Sequence, residues 1–333
     1  MTKRILVLPG DGVGPEVTAS SVAVINAVTD DNIDIEYGDI GITALEKTDN
    51  YLPAETVDLA TDADAIIAGV IVERTNDKRY QNPIRVLKKQ LSLYAVMRKF
   101  FPLCKELGVQ NIDLILMTGN PDALLNITET ENLDGVNTQK FQSESSVKKL
   151  FKKTMKIAEI KHRKKITCVH RASMFPGSDG MFLDHFYREM AASRFLMEDM
   201  EVDIAAMELV MDPPSMDVIV STDLYGTVLA GVAAGMVGGS YLTPMGSLGE
   251  NSGLFEPMHG PKLKLADSGI VNPTSAILSG AMALDHIGMI EESEKIRKAV
   301  YSVYAMGKVT PDVGGTSGTD EFTQFVIDAV RRQ

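Results

Sequence analysis

The sequence predicts an α/β protein built on a parallel or mixed sheet, and three observations carry that expectation. Short β-rich runs alternate along the chain with helically patterned stretches of roughly 10–20 residues. The run Ile112–Met117 is apolar apart from Asp113, as a strand buried on both faces requires of its interior. The chain has 333 residues, 44% apolar and 23% charged, which suffices for two domains or one large α/β unit.

The elements follow in order. Ile5–Leu8 is a β-rich run closed by Pro9-Gly10. Val13–Val28 has helical spacing, with Pro15 in the first turn where its missing N–H costs nothing. Ile33–Tyr37 alternates as a strand does, and Ala65–Val70 is a second apolar run. Helical spacing returns over Ile84–Tyr94, and Phe141–Lys161 reads as a long amphipathic helix. Ile166–His170 is a strand, Gly180–Met200 a helix, and Val218–Val220 a further strand. The polar stretch Asn126–Gln139 is the candidate for an exposed arm or long loop. There is no internal repeat and no low-complexity linker.

Composition narrows the function. A net charge of -12 argues against nucleic acid as partner, since phosphate binding needs concentrated Lys and Arg. The basic run Lys148–Lys165 reads instead as the polar face of a helix followed by a turn. Trp is absent and Met numbers 18, which favours adaptable helical packing. Cys104 and Cys168 are too few for a metal cluster, and their apolar settings predict buried free thiols. No apolar run is long enough to cross a bilayer, and the Met-Thr-Lys-Arg start runs straight into a strand, so a cytoplasmic protein is expected.

Pro9-Gly10-Asp11-Gly12-Val13-Gly14 follows a strand and opens a helix, but its third glycine arrives one position early for a dinucleotide fingerprint. A tight turn with close backbone approach is the preferred reading.

Four segments together resemble one family. Leu8-Pro-Gly-Asp-Gly-Val-Gly-Pro-Glu16, Leu224-Tyr225-Gly226 with Ala233–Gly239, Gly253–Gly260 with Asn272-Pro273-Thr274, and Thr310–Gly315 are similar, in order and spacing, to signatures of the β-decarboxylating isocitrate and 3-isopropylmalate dehydrogenases. The resemblance implies a two-domain α/β fold with a mixed sheet and an interdomain cleft, usually in a homodimer. The large domain would comprise 1–98 plus 252–333, and 99–251 would form the small domain with dimerisation helices and arm. It also implies NAD or NADP, Mg²⁺ or Mn²⁺ and a 2-hydroxy acid substrate, which family members oxidise and then decarboxylate.

The residues that such chemistry uses are largely replaced. Of the three substrate-gripping Arg positions, the second is Arg98; the first is Lys88, which keeps the charge without the planar fork, and the third is Thr118. Each charged hydrogen bond lost is worth roughly 1.5–3 kcal/mol. The family Tyr position is Leu125, which has no proton to give. The family Lys position is Arg171, whose guanidinium stays protonated and cannot act as a base. Asp203 matches one metal-binding Asp, while the other two positions are Thr227 and Gly231; Asp223, one turn before Thr227, either caps its helix or stands in as a ligand. For the nucleotide, the resemblance points to His259, Gly260, Lys264 and Asn272. Lys264 leans towards a 2′-phosphate, but Leu265 and the missing Ala-Pro turn leave equally open a loop that no longer holds NAD(P).

Two functions follow. The chain is a non-catalytic or regulatory subunit, as a homodimer or as a hetero-oligomer with an active paralogue, or it binds an anionic ligand through Lys88, Arg98, Arg171 and Asp203. The alternative is an active, metal-assisted NAD(P)-dependent oxidoreductase with an altered site.

Overall fold

The structure, a computed structural model, describes residues 2–30, 32–77, 79–109, 111–119 and 127–333. These form two compact units, one of residues 1–93, 103–108 and 238–333, the other of 94–102 and 109–237.

The first unit opens with β1 (Lys3–Gly10), α1 (Gly14–Thr29), β2 (Ile33–Tyr37), α2 (Ile42–Thr48), α3 (Ala54–Asp62), β3 (Ala65–Val70) and α4 (Pro83–Gln90). The second unit carries β4 (Ala95–Phe100), β5 (Leu114–Gly119), β6 (Ile127–Asn132), β7 (Gly135–Lys140) and α5 (Glu144–Ile160). It continues with β8 (Lys165–His170), α6 (Ser178–Met190), β9 (Leu196–Glu201), α7 (Val202–Met211), β10 (Val218–Ser221) and α8 (Asp223–Met236). The chain then returns to the first unit for β11 (Pro244–Leu248), β12 (Gly253–Pro257), α9 (Thr274–His286), α10 (Ile290–Ala305) and α11 (Thr319–Arg331).

In the first unit the strand order is β2-β1-β3-β12-β11, parallel except for the antiparallel β11–β12 pair. β3 is buried along its whole length, as its apolar sequence demands, and Leu6, Leu8, Ile66, Leu87 and Leu254 share one core. In the second unit the order is β4-β5-β10-β8-β9, with β5, β10, β8 and β9 parallel and β4 antiparallel to β5. Its core gathers Phe151, Phe182 and Phe186 between α5 and α6.

Among the described α-helices, α4 and α5 begin at side-chain caps. Asn82 accepts from Arg85 N at 3.1 Å ahead of α4, and Ser143 accepts from Ser146 N at 3.1 Å ahead of α5. Two expected helices need correction. The helix read over Gly180–Met200 stops at Met190, and Leu196–Glu201 is instead the edge strand β9, held by pairing to β8. The helix read over Ile84–Tyr94 stops at Gln90, because Ser92 takes a left-handed φ of 52° and Tyr94 leads into β4. The polar arm is an exposed antiparallel hairpin, β6–β7, turning at Leu133-Asp134; Asn126 lies outside the described residues. The two units part at 93/94 and 237/238, with 103–108 also in the first; β4 pairs with β5 in the second unit and β11 with β12 in the first.

The glycine-rich loop is a tight turn with close backbone approach. Gly10 and Gly12 have φ of 73° and 58°, and a Cβ would stand 2.3 Å from Val70 O and 2.1 Å from Pro261 O respectively. Cys168 is buried, whereas Cys104 is only half-buried; both are free thiols. Among the described residues no helix is long and apolar enough to cross a membrane.

Candidate functional site

In the second unit, β5, β8 and β10 run parallel, with Thr118 and Val169 both opposite Ser221 at their carboxyl ends. That is the end where open α/β sheets place their ligand-facing groups. Thr118 is fully buried and accepts a hydrogen bond from Arg98 Nη1 at 3.3 Å. Arg98, on the adjacent β4, is itself buried.

Just past β8, Arg171 is held by a ring of acids. Its Nη1 lies 2.6 Å from Asp203 Oδ1, on the first turn of α7, and 3.4 Å from Glu201 Oε2. Its backbone N–H donates to Asp179 Oδ2 at 2.8 Å, on the first turn of α6. The hydrogen bond and charge of Asp203 raise the Arg171 pKa still further, and the bond from Arg171 lowers that of Asp203. Tyr225 stands beside this cluster, its phenol pushed up to about 12 by burial and by Asp179.

Behind Arg171, His170 forms a second network. Its Nδ1 accepts from Ala172 N at 3.0 Å, so its Nε2 carries the proton that faces Asp199 Oδ2 at 3.0 Å. Tyr187 also donates to Asp199. Burial pushes the Asp199 carboxyl up, but the bonds from Tyr187 and His170 outweigh it and hold the group below its usual range. Sequence reasoning missed Asp179, Tyr187, Asp199 and Glu201. The acidic run on β9 was the available signal, hidden by reading that segment as helix.

Among the remaining candidates of this unit, Asp223 is buried at the first position of α8, behind the N-cap residue Thr222 whose side chain makes no cap bond. Asp223 is therefore not the cap itself. Thr227 and Gly231 lie on the exposed face of α8. Leu125 falls outside the described residues.

In the first unit, Lys88 is buried in an ion pair with Glu256 of β12, itself buried. The charge expected to grip a substrate is thus neutralised inside its own unit. On the loop after β12, His259 is buried and stacks on Tyr241, with centroids 4.1 Å apart and planes 15° apart. His259 Nδ1 faces Gly260 O at 3.1 Å and is therefore the protonated nitrogen, which leaves Nε2 a buried acceptor without a hydrogen-bond partner. Burial drives its pKa down to about 4, so the ring is neutral at pH 7. Pro261 O takes the Val13 N–H at 3.0 Å, so the glycine turn supports this loop directly.

Asn272 is less available than the sequence suggests. Its Nδ2 donates to Tyr304 Oη at 3.2 Å and Asp312 Oδ2 at 3.1 Å, and its Oδ1 accepts from Thr274 N at 3.0 Å. The side chain ties α9 to α10 and the Thr310–Gly315 segment. Lys264 is exposed on the short 3₁₀ turn Leu263–Leu265, which Lys262 enters with a left-handed φ of 38°.

The sequence model of the family described as isocitrate/isopropylmalate dehydrogenase matches residues 4–330. The chain belongs to this family. It is 34% identical to the isocitrate/homoisocitrate dehydrogenase of Thermus thermophilus, over 99% of both chains. It is 33% identical to the 3-isopropylmalate dehydrogenase of Archaeoglobus fulgidus, over 97% of this chain and 98% of that one. Its fold matches the crystal structure of isocitrate dehydrogenase from Methylococcus capsulatus with a TM-score of 0.91 at 30% identity, over 99% of both chains.

Family membership implies a divalent cation and a nicotinamide nucleotide, and the two fit differently. The cation does not fit. Asp203 is in contact with a guanidinium, and no group of three His, Cys, Asp or Glu suited to a metal exists among the described residues. The adenosine end of the nucleotide does fit. A neutral, buried imidazole with an open acceptor, stacked on an aromatic ring, suits a base bearing N–H donors.

Proposed function

We propose that this chain is a catalytically impaired member of the isocitrate/isopropylmalate dehydrogenase family, acting as a non-catalytic or regulatory subunit or as an anion-binding relative. The single observation that carries this reading is the 2.6 Å pair between Arg171 and Asp203. It sets a permanent cation at the position where the family resemblance calls for a base, against the one carboxylate matched to the metal site. A guanidinium cannot take the hydroxyl proton, and a carboxylate neutralised by it holds a dication poorly.

Subunit association is supported by α7 and α8. Ile204, Met207, Met211, Leu224 and Val228 are exposed at helical spacing on these packed helices. A patch of this kind is unusual on a monomer and suits a second copy or a paralogous subunit.

The test is a dehydrogenase assay of the purified protein with NAD and NADP, Mg²⁺ or Mn²⁺, and a panel of 2-hydroxy di- and tricarboxylates. No turnover above background is expected, while steady turnover on any of them would refute the reading. A second reading, an active NAD(P)-dependent oxidoreductase with an altered site, is favoured by the open acceptor at His259 Nε2. If a bound nucleotide has a role there, it supplies a hydride acceptor, with His259 positioning its base. A nucleotide-dependent thermal shift with concurrent turnover would select this second reading.

A further inference from the structure

A separate site lies at the other end of the second unit's sheet, where the strands begin. The turn from α5 into β8, the end of β4 and the turn before β10 enclose a concave cavity of about 590 Å³. Among the described residues its lining brings together the cations Lys99, Lys161, Arg163, Lys164 and Lys165, beside His162, against the acids Asp113 and Asp217. This is a local excess of cations on a chain of net charge -12.

Both acids are committed to building the cavity. Asp217 Oδ2 accepts the backbone N–H groups of Lys164 and Lys165 at 2.6 and 2.9 Å, and its Oδ1 faces Arg163 Nη1 at 3.1 Å. Asp113 Oδ1 accepts from Arg163 Nη2 at 2.7 Å. Arg163 is therefore a strut whose fork is filled by two carboxylates, and Lys165 pairs with Glu198 at 2.8 Å. The bland account is that Lys161 and His162 merely complement the carboxyl end of α5. That account leaves out Lys99, which arrives from β4, and Lys164, which lies beyond the turn.

We propose that this cavity binds a small polyphosphate, meaning an anion with two or more linked phosphate groups. Lysine ammonium groups act as compact point charges that suit tetrahedral phosphate oxygens, whereas planar carboxylates favour the Arg fork, here already filled. The volume is within the range of small-ligand pockets, roughly 300–1,000 Å³. The site uses no residue of the Arg171 cluster or the His259 loop, so it stands whatever the fate of the proposed function.

The experiment is isothermal titration of the full chain with inorganic tripolyphosphate at constant ionic strength, with citrate as the carboxylate comparison. The expected result is one saturable site, with citrate weaker by about tenfold or more. Lys164→Gln, an exposed change that spares the Arg163 strut, and the double variant Lys99→Gln/Lys164→Gln should weaken tripolyphosphate by about tenfold or more. Lys264→Ala should leave it unchanged. Non-saturable binding, equal affinity for citrate, indifference to Lys164→Gln, or loss in Lys264→Ala would each overturn the proposal. Tighter binding of a single-stranded oligonucleotide than of tripolyphosphate would assign the patch to a nucleic-acid backbone and overturn it too.

Discussion

Buried charges at single positions make the sharpest demands on this chain. Lys88 and Glu256 satisfy each other inside the first unit, so removing either leaves an uncompensated charge. Lys88→Ala is expected to destabilise by about 3–5 kcal/mol in urea unfolding, and Lys88→Met/Glu256→Leu to recover most of it. Equal losses in single and double variants would show that the pair is not coupled. His259 makes a pH prediction with a definite sign. Its pKa of about 4 lies below the ordinary 6.5, so the unfolded chain binds the proton first. The stability it contributes is complete above pH 6.5, falls as the pH drops towards 4, and amounts to about 3 kcal/mol. His259→Phe should flatten that part of the stability profile, whereas an unaltered slope between pH 6.5 and 4 would count against the assignment. At this scale the sequence showed which residue types are present but not their partners. Arg171 was legible as a base that cannot deprotonate; that Asp203 and Glu201 neutralise it depends on α7 starting directly after β9.

Elements were legible wherever local pattern and tertiary demand agree. β2 and β3 have the bounds read from the sequence; the unbroken apolarity of β3 matches its burial along the whole strand, whereas β2 buries only Ile33 and is set by pairing with β1. β9 was not, since Glu198, Asp199 and Glu201 give an edge strand the polarity of a helix surface, and only pairing with β8 decides between them. The same scale explains why Gly226 interrupts an otherwise good helix. A Cβ there would stand 2.1 Å from Thr118 Cγ2, and Thr118 is fully buried. Gly226→Ala should therefore destabilise by about 1–3 kcal/mol in thermal or urea melts, despite the gain in helix propensity. An unchanged or raised stability would show that α8 can move away from β5. The exposed face of α7 and α8 makes its own prediction: Met207→Glu/Val228→Glu should shift the protein to monomers in sedimentation while preserving its circular dichroism. Wild-type protein that already sediments as a monomer would remove the argument for a covered face.

For the whole molecule, the net charge of -12 sets the problem. An anionic substrate approaches such a chain only where local cations outweigh the general repulsion. Of the three cations that the sequence offered for this purpose, two are neutralised within their own units, Lys88 by Glu256 and Arg171 by Asp203 and Glu201, while Arg98 donates to Thr118. Restoring the lost chemical groups should therefore be insufficient. The variant Leu125→Tyr/Arg171→Lys/Thr227→Asp/Gly231→Asp returns an acid, a base and two carboxylates, and a Cβ at Gly231 meets nothing within 4 Å, so that part of the change is sterically free. It is nevertheless expected to show no steady-state turnover, because the missing guanidinium fork at Thr118 deprives a dicarboxylate of charged hydrogen bonds worth roughly 1.5–3 kcal/mol each. Adding Thr118→Arg should be the step that first yields measurable activity, at the cost of displacing the Thr118–Gly226 contact and so lowering the melting temperature. Turnover by the fourfold variant alone, measured as reduced nicotinamide absorbance with Mg²⁺ present, would show that the chain still grips its substrate and that only proton transfer and the metal had been lost.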